Sequence, residues 1–254
     1  MLVNIFFPLF SGIDQAIAEI LPLWLRVWIW GILAGGATIL LYAFLSQQKA
    51  IAWLKARSRE LRKEMIRSDI SGQEFRGLVK ENLRVSLTLL LRVFVPGLVS
   101  ALPVLVVAFC VMISSGYSLP AEDDPLVLEI QSTEQPLRVQ PSDLVLRNAE
   151  GKAWLKPEAK GQRITLRLQD ERIYTGRIFE YALPAIEKRK WWHAMLGSPI
   201  GYLMPRAAVD QVLIGVAPAR VVPEVPSWLA RWEWVYFLGV FLGACITKWR
   251  FRIA

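Results

Sequence analysis

Apolar residues run almost unbroken through Leu21–Ser46 and again through Val93–Ser115, with a polar arm, Gln47–Arg92, between them. At about 1.5 Å per helical residue, each stretch can cross about 30 Å of hydrocarbon. Both therefore read as membrane spans, the first running from Leu23 to about Leu45. Trp24, Trp28 and Trp30 crowd one end of that span, as an interfacial aromatic belt does. Pro96, Gly97 and Pro103 predict a kink in the second, with neighbours re-satisfying the freed backbone groups. A third, shorter stretch, about Trp234 to Trp249, is closed by Lys248, Arg250 and Arg252. Ahead of the first span, Ile5, Phe6, Leu9, Phe10, Ile13, Ile17 and Ile20 fall near one helical face, with Asp14, Gln15 and Glu19 among them. This predicts a short amphipathic segment in the membrane interface, entering the span at Pro22. Pro8 and Gly12 weaken the case for one continuous helix there.

Within the arm, Ile51, Leu54, Ser58, Leu61 and Met65 recur at spacings of three and four, the seam of a helix pair. Ser71 and Gly72 break the pattern, and Phe75, Leu78, Val79, Asn82 and Leu83 resume it. The expectation is an antiparallel helical hairpin continuous with both spans. Residues 116–227 look different. Short alternating runs, Leu126–Ile130, Asp143–Arg147, Ala153–Lys156, Arg163–Leu168, Arg172–Phe179 and Gln211–Val216, are separated by turn signals such as Asn148-Ala-Glu-Gly151 and Lys160-Gly161. Regular short strands with such breaks predict a small antiparallel sandwich or barrel.

Charge then fixes the orientation. The arm holds eleven basic side chains, Lys49, Lys55, Arg57, Arg59, Arg62, Lys63, Arg67, Arg76, Lys80, Arg84 and Arg92, against five acidic ones. Short loops rich in Lys and Arg stay cytoplasmic. The arm and the basic C-terminal end therefore predict a cytoplasmic C-terminus, an outer N-terminus and an exported β-rich segment. The fold expected is membrane α-helical, with three transmembrane helices and a cytoplasmic helical hairpin, plus a small all-β extracytoplasmic domain. The divisions are 1–20 interfacial segment, 21–46 first span, 47–92 hairpin, 93–115 second span, 116–227 β-domain and 228–254 third span with its basic end. A hydrophobic content of 54% and a mean hydropathy of +0.35 agree with a membrane class. The net charge of +8 is accounted for by positive residues beside spans, and no nucleic-acid-binding motif accompanies it. Cys110 and Cys245 both fall in expected spans, so no disulfide framework is predicted. The N-terminus lacks the basic n-region of a cleavable signal peptide.

No catalytic motif is present: no G-x-S-x-G, H-E-x-x-H, P-loop, G-x-G-x-x-G or C-x-x-C. The one histidine, His193, sits beside Trp191 and Trp192 and reads as packing. The acidic run Glu122-Asp-Asp124 reads as a solvated turn. The expectation is a non-enzyme with no cofactor and no metal. An enzyme acting on lipids or glycans lacks an acid/base pair. The candidate residues are instead physical. Arg26, Arg92, Arg231 and Glu233 lie near membrane depth, where a charge is expected to snorkel to the interface or to face a partner or a wet cavity. Gly31, Gly35 and Gly36 offer a helix-packing face. Lys188, Arg189, Lys190, Trp191 and Trp192, followed by Met195 and Leu196, form a basic–aromatic stretch that fits either an outer lipid surface or an ordinary loop.

The stretches Leu41-Tyr-Ala-Phe-Leu-Ser-Gln-Gln-Lys49, Leu61-Arg-Lys-Glu-Met65 and Trp232-Glu-Trp-Val-Tyr-Phe237, set in this layout, resemble the YidC/Oxa/Get-type membrane protein insertase superfamily. They look most like its small three-span archaeal and endoplasmic-reticulum members. The resemblance covers a little over half the chain. The outer segment lies beyond the family's core, and Arg26 is offset outward from the mid-span arginine of bacterial insertases. The resemblance implies an insertase-like membrane chaperone that assists insertion or assembly of membrane proteins, with membrane lipids and membrane-protein clients as partners. The expected location is a bacterial inner membrane. The alternative is a structural or assembly subunit of a cell-envelope complex, binding a partner through its β-domain. Neither reading involves nucleic acid or a small-molecule substrate.

Overall fold

The computed structural model describes residues 2–67, 71–121, 123–130, 137–149, 151–168, 171–193 and 197–251. Glu122, Met195, Leu196 and Arg252, named above, lie outside the described residues. The chain divides into two compact units, Met1–Ile29 with Val106–Leu238, and Trp30–Leu105 with Gly239–Ala254.

The protein has helices and a β-rich region. Helix α1 spans Leu2–Ala18 and α2 spans Leu23–Leu45. Helix α1 is a single helix that runs through Pro8 and Gly12, the two residues that weaken the case for continuity. Proline removes one backbone donor and crowds the preceding turn. Packing outweighs that cost, because Val3, Phe7, Phe10 and Asp14 recur at helical spacing on a buried side. Ile5, Phe6, Leu9 and Ile13 stay exposed on the other.

Helices α3, Gln48–Met65, and α4, Gly72–Ser100, form the expected hairpin in the second unit. Ile51, Leu54, Ser58 and Leu61 are the buried residues of α3, as their spacing requires. Ser71 caps α4 with a capping box: its hydroxyl accepts from the Glu74 N–H, and the Glu74 carboxylate accepts from the Ser71 N–H. Those bonds, the backbone N–H first, hold the Glu74 carboxyl below its ordinary range. Across the hairpin, Arg57 donates through Nε and Nη2 to Glu81 Oε1 at 3.1 and 2.8 Å, and Ser58 Oγ donates to Asn82 Oδ1 at 3.1 Å. The Glu81 contact, with Glu64 and Glu60 nearby, raises the Arg57 guanidinium above its ordinary value.

Helix α4 continues into α5, Leu102–Ser115, across a break at Ala101. Pro103 has no N–H to offer the turn before it, so the helix loosens there. Among the described residues, two helices are long and apolar enough to cross a membrane, α2 and the joined stretch Gly72–Ser115. Helix α6, Trp232–Phe251, is not among them, since Trp and Tyr at its start and Lys248 and Arg250 at its end dilute its apolar core.

The β-rich region belongs to the first unit. Strands β1 (Tyr117–Ser118) and β10 (Ala217–Pro218) pair antiparallel. A five-stranded sheet has the order β4 (Val145–Ala149), β5 (Lys152–Leu155), β2 (Leu126–Ile130), β9 (Gln211–Ile214), β8 (Ala185–Glu187). A three-stranded sheet has the order β3 (Leu137–Gln140), β6 (Ile164–Leu168), β7 (Glu171–Gly176). Every pairing in these sheets is antiparallel. Alternate residues turn inward: Leu126, Leu128 and Ile130 from one sheet, Ile164, Leu166 and Leu168 from the other. Asn148 Nδ2 donates to the Leu137 carbonyl at 2.7 Å and ties the two sheets. The turn signals hold, with Gly151 at φ 70° and Gly161 at φ 74°, where a side chain would be strained. The run Asp143–Arg147 begins as a 3-10 turn, Ser142–Leu144, and the run Arg172–Phe179 leaves the sheet at Gly176 for another, Ile178–Glu180.

Candidate functional site

The first unit holds a polar cavity of about 640 Å³ between α1, the start of α2, the end of α5 and the loop at Glu180–Ala182. Its apolar walls are Phe7, Ala18, Leu23 and Ile113; Ser11, Gln15, Ser114, Ser115 and Tyr181 supply hydrogen-bonding groups. Arg26 and Asp14 meet here. Arg26 Nη1 donates to Asp14 Oδ2 at 2.6 Å and to the Asp14 carbonyl at 3.1 Å. The two side chains are only 15% and 11% exposed. A buried charge needs a partner, and Asp14 supplies it from inside the apolar spacing of α1. Arg26 Nε is buried without a hydrogen-bond partner among the described residues. The Phe7 ring stands edge-on to Tyr181, with centroids 5.2 Å apart, which fixes α1 against the β-domain loop. Burial, then the Glu180 carboxylate, raises the Tyr181 phenol above its ordinary value.

The other charged candidates go elsewhere. Arg231 pairs with Glu233 at the start of α6, so Arg26 and Glu233, in the same unit, take different partners. Arg92 is exposed on α4 in the second unit. Asp123 and Asp124 are exposed, and no cluster of His, Cys, Asp and Glu that would hold a metal occurs among the described residues.

The glycines of α2 lie against α6. A Cβ on Gly35 would lie 2.1 Å from the Val240 carbonyl oxygen, and one on Gly243 would lie 2.2 Å from that of Ile32. A Cβ on Gly36 would reach Thr247 Oγ1 at 3.0 Å. Gly31 is buried. Helices α2 and α6 therefore touch backbone to backbone, each through a glycine of its own. Sequence reasoning passed over Gly243, although Gly239 and Gly243 stand four apart in α6. It also passed over Asp14 as the partner of Arg26.

The basic–aromatic stretch is divided. Lys188 pairs with Asp210 at 2.9 Å and Lys190 with Glu187 at 2.7 Å. Trp192 packs on His193, with centroids 3.7 Å apart, and reaches Phe109. Arg189 and Trp191 are left exposed. His193 is buried beside a cavity of about 220 Å³; its Nδ1 accepts from the Lys190 N–H at 2.9 Å. Desolvation lowers the His193 imidazole below its ordinary value, Glu187 opposing and Lys190 and Arg189 assisting. Neutral at pH 7, it serves as an acceptor in a packed aromatic cluster with Tyr202.

No protein-family model matches the chain, and neither does any curated protein or solved structure.

Proposed function

We propose that this protein is an insertase-like membrane chaperone that passes apolar segments of client proteins from the cytoplasm into the bilayer. The observation that carries the reading is α4. The helix begins in the basic hairpin and runs on without a break into an apolar length, where Leu83, Leu87, Leu90, Leu91, Phe94, Val95 and Leu98 are all exposed. A client segment meeting the hairpin would find a continuous apolar rail leading to lipid. Positive charge on the hairpin keeps that end cytoplasmic and attracts acidic flanks of a client or the phosphates of a ribosome.

The membrane setting is supported by the two helices able to cross a bilayer and by exposed tryptophans near helix ends, Trp24, Trp228 and Trp234 in one unit and Trp249 in the other. On this reading α6 is the third span, the β-domain is extracytoplasmic, and α1 lies in the outer interface with Ile5, Phe6, Leu9 and Ile13 in lipid. The work is physical: the polar cavity at Asp14 and Arg26 offers hydrogen bonds and water to polar groups at the outer face, which lowers their cost of leaving the aqueous phase.

Depleting the protein and measuring insertion of single- and double-span clients tests the reading. Reduced insertion, with nascent clients crosslinking to photoreactive residues at positions 87, 91 and 94, is the expected result. Unchanged insertion, with one stoichiometric envelope protein crosslinking to the β-domain, would replace it with the assembly-subunit reading.

A further inference from the structure

The outward face of the β3–β6–β7 sheet carries a charge pattern that the fold does not need. Arg138 stands directly across from Arg167, and Arg167 directly across from Arg172, so three arginines line up over three strands. Ile164 and Gly176 form the last pair of β6 and β7, and Arg163 and Arg177 follow immediately beyond it. Between the two arginine rungs, Thr165 and Thr175 share a hydrogen bond of 3.1 Å. Directly opposed side chains in antiparallel strands lie about 4.5–5.5 Å apart at Cβ, and like charges there destabilise the sheet. Among the described residues, no carboxylate lies within ion-pair distance of Arg163, Arg167, Arg172 or Arg177. Arg167 Nε is buried with no hydrogen-bond partner among the described residues. The opposed pair Arg167 and Arg172, and Arg163 with Arg177 beyond it, would be relieved by an external anion.

The position of the row points to the source of that anion. Arg163 and Arg177 line a polar cavity of about 470 Å³ with Thr175, Glu180 and Ser198. Glu180 also lines the cavity that holds Asp14 and Arg26, and Tyr181 touches Phe7 of α1. The arginine row therefore starts next to the helix whose open side is Ile5, Phe6, Leu9 and Ile13. We propose that this sheet face docks on the membrane through anionic phospholipid headgroups, with Arg163 and Arg177 taking the first phosphate. Guanidinium groups match phosphate oxygens two at a time, and Glu180 at the cavity's rim excludes a second anion there. The proposal rests on the reading of the chain as a membrane protein, and it is independent of insertase activity.

The test uses the full chain in nanodiscs of equimolar phosphatidylcholine and phosphatidylglycerol, with retained lipids counted by native mass spectrometry. Each basic side chain at an anionic surface strengthens binding about fivefold at moderate salt. The wild type should therefore retain phosphatidylglycerol preferentially, less so as salt rises. R163Q/R177Q should lose more than tenfold of that preference, and R163Q/R172Q/R177Q nearly all of it. In discs of phosphatidylcholine alone, R163Q/R177Q should unfold no earlier than the wild type, since the substitutions relieve repulsion.

An unchanged preference in R163Q/R177Q overturns the proposal. So does a loss seen instead with R59Q/R62Q/K63Q in the hairpin. Displacement of the lipid by millimolar inorganic phosphate, but not by chloride at matched ionic strength, would show a discrete phosphate pocket and overturn the lipid assignment. A chain that enters no disc would sink the membrane reading and this proposal together. One that enters both discs without preference sinks this proposal alone.

Discussion

The ion pair between Asp14 and Arg26 ties α1 to the rest of the first unit, and cutting it should release that helix. The pair is nearly buried, with a 2.6 Å bond. Asp14→Ala removes the carboxylate and leaves Arg26 with the backbone carbonyl alone. Breaking a buried pair from one side costs about 3–5 kcal/mol. The adjoining cavity admits water to the stranded guanidinium, which places the cost near the lower end, about 3 kcal/mol. That corresponds to an increase on the order of a hundredfold in the open population of α1. Hydrogen exchange of the α1 amides in mild detergent reads this directly, with strands β2 and β6 as internal controls that should not move. Arg26→Met should cost a similar amount by stranding Asp14. The double variant D14L/R26M should recover most of it, because an apolar pair of similar volume avoids both desolvation penalties. With Asp14→Leu as the matching single variant, the double-mutant cycle then returns a coupling of roughly 5 kcal/mol, the two single costs less the small residual of the double. Additive single effects below about 0.5 kcal/mol would show the pair to be solvated, and the account of α1 docking would be wrong.

Other perturbations follow from the same structure. Gly35→Leu or Gly243→Leu should push α2 from α6, because even a Cβ would lie within about 2.2 Å of a carbonyl oxygen; cysteine crosslinking between positions 36 and 247 should fall sharply, while Gly12→Leu, with open space around it, leaves it unchanged. Tyr174→Phe removes the hydroxyl that donates to the Ile200 carbonyl inside the β-domain, and thermal unfolding should report a loss of about 1–3 kcal/mol. His193 titrates below its ordinary value when folded, so the unfolded chain binds the extra proton first; stability of the β-domain should be complete above about pH 6.5 and fall as pH drops through that range, and His193→Gln should flatten the slope. Ser71→Ala removes one half of the capping box and should speed amide exchange several-fold in the first turn of α4; the Glu74 half is likewise lost as pH falls below the ordinary carboxylate range, since its folded value is depressed.

The parts that were legible in the sequence are those where one periodicity dominates. Leu23–Leu45 coincides with the apolar run, and Ile51, Leu54, Ser58 and Leu61 turn inward as their spacing demands. Strand β2 matches Leu126–Ile130 residue for residue, since burial alternates along it without interruption. Strands β3 and β8 are not legible in the sequence, because four and three residues are too few for alternation to stand out. Continuity of α1 through Pro8 is not legible, because the tertiary packing of Val3, Phe7 and Phe10 overrides the local rule. The site was harder still. Arg26 could be named from its depth in the chain, but Asp14 lies twelve residues away on another helix, and no spacing rule joins residues across a turn at Leu21–Pro22. Gly35 was found and Gly243 was not, although the contact needs both.

Helix α1 shows why these features belong together. An amphipathic helix ordinarily divides into one apolar and one polar side. In α1 the buried side holds Phe7 and Phe10 together with the charged Asp14, while the open side holds Ile5, Phe6, Leu9 and Ile13. In water alone that arrangement is inverted, since it hides a carboxylate and exposes four large apolar side chains. In a bilayer interface each feature would have a cause: the open side would enter lipid, and the buried carboxylate would neutralise Arg26. The opposed Arg167 and Arg172 on the neighbouring sheet fit the proposed layer of phosphates in the same way. Each pattern is costly for a domain surrounded by water, and both costs fall away if α1 and the Arg163–Arg177 end of the sheet lie at the headgroup boundary of the proposed membrane.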